Sequence, residues 1–97
     1  MANNQGIATI DFGTGSGSNE ASLTITGQTS IVSTSNIEVY VMGSDTTVDH
    51  TASDHKYLGL FARFTGGDII VGTGFTIYAR SLQKLSGTFK IHWIWVD

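Results

Sequence analysis

The stretch VDHTASDHK, Val48 to Lys56, carries an Asp-His pair twice, at 49–50 and at 54–55. Imidazole and carboxylate together suit zinc and similar ions, and the same groups serve as general acids and bases. Asp49, His50, Asp54 and His55 are therefore the candidate metal ligands and the candidate proton-transfer residues, with His92 the only further histidine that could complete a set. Against this stands a structural reading. Both histidines flank a Thr-Ala-Ser-Asp turn, where Asp49 and Asp54 would cap backbone amides and each imidazole would be polar loop surface. That reading is preferred, because metal sites need ligands held on a scaffold and a turn supplies none.

Other chemistry has less to draw on. Any chain with several Ser, His and Asp yields a triad by counting, but no G-x-S-x-G elbow occurs. The GTGSGS run precedes a strand pattern instead of the helix that would cradle phosphate. Glycoside hydrolysis needs two carboxyl groups about one bond, and the two glutamates, Glu20 and Glu38, fall on separate segments, although they could oppose each other. Tyr40, Tyr57 and Tyr78 could stack on sugar, yet core or interface roles suit them better. The expectation is a non-enzymatic protein with no catalytic residue and no cofactor.

The elements that must position these residues read as strands. Period-two alternation recurs along the chain and helical spacing is nearly absent. Ala8, Ile10 and Phe12 share one face, as do Ala21, Leu23 and Ile25, then Ile37, Val39 and Val41. In KYLGLFARF the alternation of Leu58, Leu60, Ala62 and Phe64 predicts a further strand, with Gly59 marking a bulge or close approach. TGGD, Thr65 to Asp68, predicts a hairpin turn between that strand and a short DIIV strand. Phe75, Ile77 and Ala79 form the next face, SLQKLSG predicts one helical turn, and Phe89, Ile91, Trp93 and Trp95 align on the last strand. The fold class expected is all-β: an antiparallel β-sandwich or jelly-roll-like barrel of about seven or eight strands, one domain over residues 1–97.

The last strand holds the most apolar surface. Each indole presents roughly 150 to 250 Å², an upper bound of roughly 4 to 6 kcal/mol if fully buried. With those rings in the core, Ile94 and Val96 face outward beside Lys90 and His92, as Tyr40 and Met42 do beside Glu38. Apolar residues on both faces of a small sheet predict a partner. The interface candidates are Tyr40, Met42, Ile94 and Val96, with His50 and His55 in the polar loop.

Composition narrows the partner. The chain has 97 residues, 13% of them charged, a net charge of −3 and five scattered basic residues. Nucleic-acid binding relies on a concentrated basic surface, which is missing here. No apolar run is long enough for a membrane helix, and the start MANNQGIATI has no signal-peptide pattern, so the expectation is synthesis in a cytoplasm without membrane attachment. There is no cysteine, which removes disulfides and thiolate ligands, and no proline, which leaves strand edges without one of the usual blocks to pairing.

VDHTASDHK, GTGFTIYARS and HWIWV, with the opening IDFGTGSGSNEASLTITGQ, resemble a group of small virion proteins of tailed bacteriophages. The likeness runs through most of the chain. It departs where members often carry a long insertion before the W-x-W strand, and here only SLQKLSGT intervenes. The resemblance implies a structural particle component and supplies no catalytic residue. It favours a capsid decoration or cement protein that self-associates and contacts the major capsid or another virion protein, made in the host cytoplasm and located in the virion. A tail or adsorption component is the nearest variant, and a small glycan- or metal-binding module is the alternative from another class.

Overall fold

The computed structural model describes residues 3–97, with Phe61 by its backbone alone. Along the chain run β1 (Asn3–Asp11), β2 (Ser18–Ile25), β3 (Asn36–Val41), α1 (Ala52–Phe61), β4 (Ala62–Ile70), β5 (Gly74–Leu85) and β6 (Thr88–Val96). The strands form two antiparallel three-stranded sheets, ordered β1-β6-β3 and β2-β5-β4. The expected seven or eight strands are thus corrected to six among the described residues.

Each sheet is built around its most apolar strand. In β6 the side chains of Phe89, Ile91, Trp93 and Trp95 are buried and alternate with half-buried Lys90, His92 and Ile94. In β5 Phe75, Ile77 and Ala79 are buried while Tyr78 and Arg80 are exposed. A central strand has neighbours on both edges, so its inward residues are the easiest to dehydrate completely. The two inward faces meet: the Phe75 ring lies edge-on to Trp93 at 5.5 Å, and one cluster unites Ile10, Phe12, Ile31, Leu58 and the inward residues of β5 and β6. The indole of Trp95 donates to Gln28 Oε1 at 3.0 Å, an acceptor shared with the Asn4 amide at 2.8 Å, so the buried N–H is satisfied.

Three local expectations are overturned. The segment KYLGLFARF begins as helix: α1 runs from Ala52 and β4 starts only at Ala62. The alternation that suggested a strand is accidental, since Leu60 is exposed, and the buried positions are His55 and Leu58, three apart on one helical face. TGGD lies inside β4, and the turn to β5 comes at 71–73, where Gly72 has positive φ. Gly66 serves sheet packing, because a Cβ there would collide with the Ile37 side chain of β3. SLQKLSG forms no helical turn, since β5 continues through Leu85.

Candidate functional site

The Asp-His segment sits where β3 runs out. β3 pairs with β6 from Asn36 opposite Val96 to Val41 opposite Ile91, so the β6 edge from Thr88 to Lys90 has no continuing strand beside it. Met42 N still donates to Lys90 O at 2.9 Å, and from there side chains replace backbone. Lys90 N donates to His55 Nε2 at 3.0 Å. Thr88 N and its hydroxyl donate to the Asp49 carboxylate at 3.1 and 2.6 Å, and Thr47 Oγ1 donates to Thr88 O at 2.7 Å. The segment Thr47–His55 therefore satisfies the strand edge that β3 leaves open.

The local fold that places these groups is a capped helix. Thr51 is the N-cap: its hydroxyl accepts from Asp54 N at 3.2 Å, and the Asp54 carboxylate accepts from Thr51 N at 3.2 Å. This reciprocal box holds two amides that the helix itself cannot pair. One turn later His55 is completely buried. Its Nδ1 donates to Thr51 O at 2.8 Å, so Nε2 is the acceptor that Lys90 N needs. The expected picture of two surface histidines thus fails for His55, which is a fully engaged core residue.

His50 is bound differently. Its Nδ1 lies 3.0 Å from Asp54 Oδ2 and its Nε2 lies 2.6 Å from the Ser86 carbonyl oxygen. Both partners are acceptors, so both ring nitrogens must donate, which is the hydrogen-bonding pattern of the imidazolium. Burial pulls the His50 pKa down, but the Ser86 carbonyl, the Asp54 bond and the charges of Asp49 and Asp54 outweigh it, and the net shift is upward. The ring stacks on Phe89 at 3.9 Å and 17°, with His55 edge-on to the same phenyl at 5.3 Å. A charged imidazole over an aromatic face gains further from the ring quadrupole.

The carboxylates are tuned in the opposite direction. Asp49 is held down to about 2, first by the Thr88 hydroxyl and then, against desolvation, by the Thr88 amide and the Thr47 hydroxyl. Asp54 is lowered by its bond to His50 and then by the Thr51 amide. Gly87 closes the cluster. It has φ of +82°, and a Cβ would sit 2.9 Å from both Asp49 Cγ and His50 Nε2, so only glycine lets the turn before β6 approach these side chains.

This geometry decides what the four residues can do. Both nitrogens of each histidine are committed to protein partners, and a metal ion would have to displace them. Among the described residues no three His, Cys, Asp or Glu side chains are grouped to hold an ion. His92 does not join the cluster: it lies on the other face of β6, stacked on Tyr40 at 5.0 Å with its Nδ1 buried and unpaired. The His50–Asp54 pair meets a carbonyl oxygen where a nucleophile's hydroxyl would be needed, so it cannot activate a serine in this arrangement.

The remaining candidates are dispersed. Glu20 on β2 and Glu38 on β3 belong to different sheets and alternate with core-packed neighbours, so they lie on opposite outer faces and cannot flank one bond. Tyr40, Tyr57 and Tyr78 lie on β3, α1 and β5 and share no surface platform. Of the interface candidates, Tyr40 and Val96 are exposed, Met42 and Ile94 are half-buried, His50 is largely covered and His55 is inaccessible. The outer face of β1-β6-β3 carries one residue the sequence reading omitted. Ile7, 58% exposed, pairs across with His92, which pairs with Tyr40, 51% exposed. Its signal was its place opposite in phase to Ala8, Ile10 and Phe12.

No helix among the described residues is long and apolar enough to cross a membrane. Comparison of the chain with protein-family models, with curated proteins and with solved structures gives no match in any of the three.

Proposed function

We propose that this chain is a non-enzymatic structural component of a tailed-bacteriophage particle, a capsid decoration or cement protein with a β-sandwich body that associates through its outer sheet faces. The observation that carries the reading is the apolar outer row Ile7, His92 and Tyr40, extended by Ile94 and Val96, on a sheet whose inner face is already fully used by the core. The likeness of VDHTASDHK, GTGFTIYARS and HWIWV to small virion proteins supports the same class. So does the Asp-His segment, whose polar groups are spent on the chain's own backbone.

Size favours many weak contacts over one strong pair. Strands of nine, nine and six residues, spaced ~4.8 Å and rising ~3.3 Å per residue, cover roughly 400 Å² in plan. A stable two-body interface takes about 800 Å² per partner. One sheet face falls short of that, so binding that persists requires several joints per copy, as repeated sites on a symmetric shell provide.

Mass spectrometry of purified particles from the phage that encodes the chain tests this directly. The chain is expected among the stoichiometric components, and a Tyr40→Ser, Ile7→Ser variant is expected to be depleted from particles while melting at nearly the same temperature. Particles without the chain would refute the proposal.

A further inference from the structure

The outer face of the other sheet carries charge without matching neighbours. Arg63 of β4 and Arg80 of β5 are direct cross-strand partners, and Glu20 of β2 lies opposite Arg80 on its other side. Like charges in that relation repel. Arg80 reaches Glu20 only at 3.7 Å, with both side chains mostly exposed, a contact worth little in water. Among the described residues Arg63 has no carboxylate in ion-pair contact. The other acid of this sheet face is Asp68, which accepts the Tyr78 hydroxyl.

Beside the two guanidinium groups lies a shallow depression lined by Gly59, Leu60, Arg63, Arg80 and Leu82. Leu60 is 79% exposed and Leu82 87% exposed, on the end of α1 and the outward side of β5. A pair of arginines can receive a carboxylate through parallel N–H donors, and flanking leucines favour an apolar side chain next to it. Phosphate of a nucleic acid would meet the same arginines, but the chain carries a net charge of −3 and only five basic residues, which opposes a polyanion.

We infer that Arg63 and Arg80 form a docking point for an acidic-apolar segment of another protein, its carboxylate bridging the two guanidinium groups and its neighbouring aliphatic side chain covering Leu60 and Leu82. This deepens the assembly reading and rests on it, because it supplies the second joint that one sheet face alone lacks. Bridging would also place a negative charge between the two cross-strand arginines.

The probe is the peptide acetyl-Leu-Glu-Leu-amide, with acetyl-Leu-Gln-Leu-amide and inorganic phosphate as controls, followed by NMR of the arginine Nε–H groups and leucine methyls. Saturable shifts at Arg63, Arg80, Leu60 and Leu82 are expected with the Glu peptide, with affinity about tenfold weaker for the Gln peptide, equivalent to ~1.4 kcal/mol. Arg63→Gln and Arg80→Gln, both at exposed positions, should each weaken the Glu peptide several-fold without changing the fold as seen by circular dichroism. Equal binding of both peptides, or phosphate saturating the arginines as strongly as the Glu peptide, overturns the inference. Particle content of the R63Q/R80Q chain separates this from the assembly reading. Undiminished incorporation leaves assembly standing and removes this surface, whereas peptide binding by a chain that particles lack keeps the surface and removes the assembly.

Discussion

Replacing His55 with Leu isolates the bond on which the Asp-His segment depends. The side chain is wholly buried, and leucine fills a similar volume but neither donates nor accepts. Two hydrogen bonds go: Nδ1 to Thr51 O, and Lys90 N to Nε2. Thr51 O keeps the His55 amide at 3.1 Å, so losing the first bond costs the ordinary net value of about 0.5 to 1.5 kcal/mol. Lys90 N is part-buried and has no alternative partner where β3 has ended, and leaving it unpaired costs about 1 to 3 kcal/mol. The sum is roughly 2 to 4 kcal/mol, against a total stability of about 5 to 15 kcal/mol for a domain. At about 4 to 8 °C per kcal/mol for a chain of this size, the melting temperature should fall by roughly 8 to 32 °C.

Urea unfolding followed by tryptophan fluorescence measures the loss, and amide exchange at Lys90 locates it. If His55 were loop surface or a spare metal ligand, the change would stay within about 0.5 kcal/mol, as for ordinary surface substitutions. A shift that small, with Lys90 exchange unchanged, would refute the edge-satisfying role.

Stability should also depend on pH in a defined sense. The His50 pKa is raised in the folded state above its ordinary 6.5, so its contribution is whole below that value and is lost as pH rises through the folded one. Asp49, Asp54 and Asp45, the last held down first by the Thr46 amide and then by Lys90, are lowered from 3.8, so theirs are whole above that value and fade as pH falls, Asp49 last, near 2. Melting temperature should therefore plateau between these limits, and His50→Gln should flatten the decline on the alkaline side. Gly87→Ala forces a Cβ against Asp49 and His50 at positive φ, and should cost about 1 to 3 kcal/mol in urea unfolding. Trp95→Phe removes a buried donor from Gln28 Oε1, which Asn4 still serves, so about 1 kcal/mol should be lost with the bond and somewhat more with the smaller ring.

The core was legible because its signal is local. Phe89, Ile91, Trp93 and Trp95, and Phe75, Ile77 and Ala79, alternate within single strands, and burial follows that alternation. The helix was legible too, but from a different feature than the one that dominated the reading. Thr51-Ala-Ser-Asp54 has the spacing of a capping box, and it outweighs the chance alternation of Leu58, Leu60 and Ala62. The bonds of the Asp-His segment were not legible, because their partners stand 35 to 41 positions away on β6 and in the turn before it. Nothing in the local pattern shows which backbone groups a strand of the wrong length will leave unpaired. TGGD misled for a related reason: glycine pairs signal turns, but Gly66 answers to Ile37, 29 positions earlier, across the gap between sheets.

The length mismatch between β3 and β6 explains why two Asp-His pairs stand together at all. β3 has six residues and β6 nine, so the sheet would end in an open stretch of β6 able to template another strand. A proline-free chain lacks one of the usual edge blocks, and this one uses side chains: Asp49 and His55 occupy the N–H groups, Thr47 and His50 occupy carbonyls at Thr88 and Ser86. A side-chain cover does what a longer β3 would do for the backbone, but it ends the sheet instead of extending it. Ile37 of β3 packs on Gly66 of β4 across the gap between the sheets. Association by strand addition is thereby disfavoured at this corner of the fold, while the outward rows Ile7–His92–Tyr40 and Arg80–Arg63 stay uncovered. Because the polar groups of the Asp-His segment are spent on the chain's own backbone and side chains, the apolar contact and carboxylate bridge proposed above are placed on the sheet faces and not on this segment.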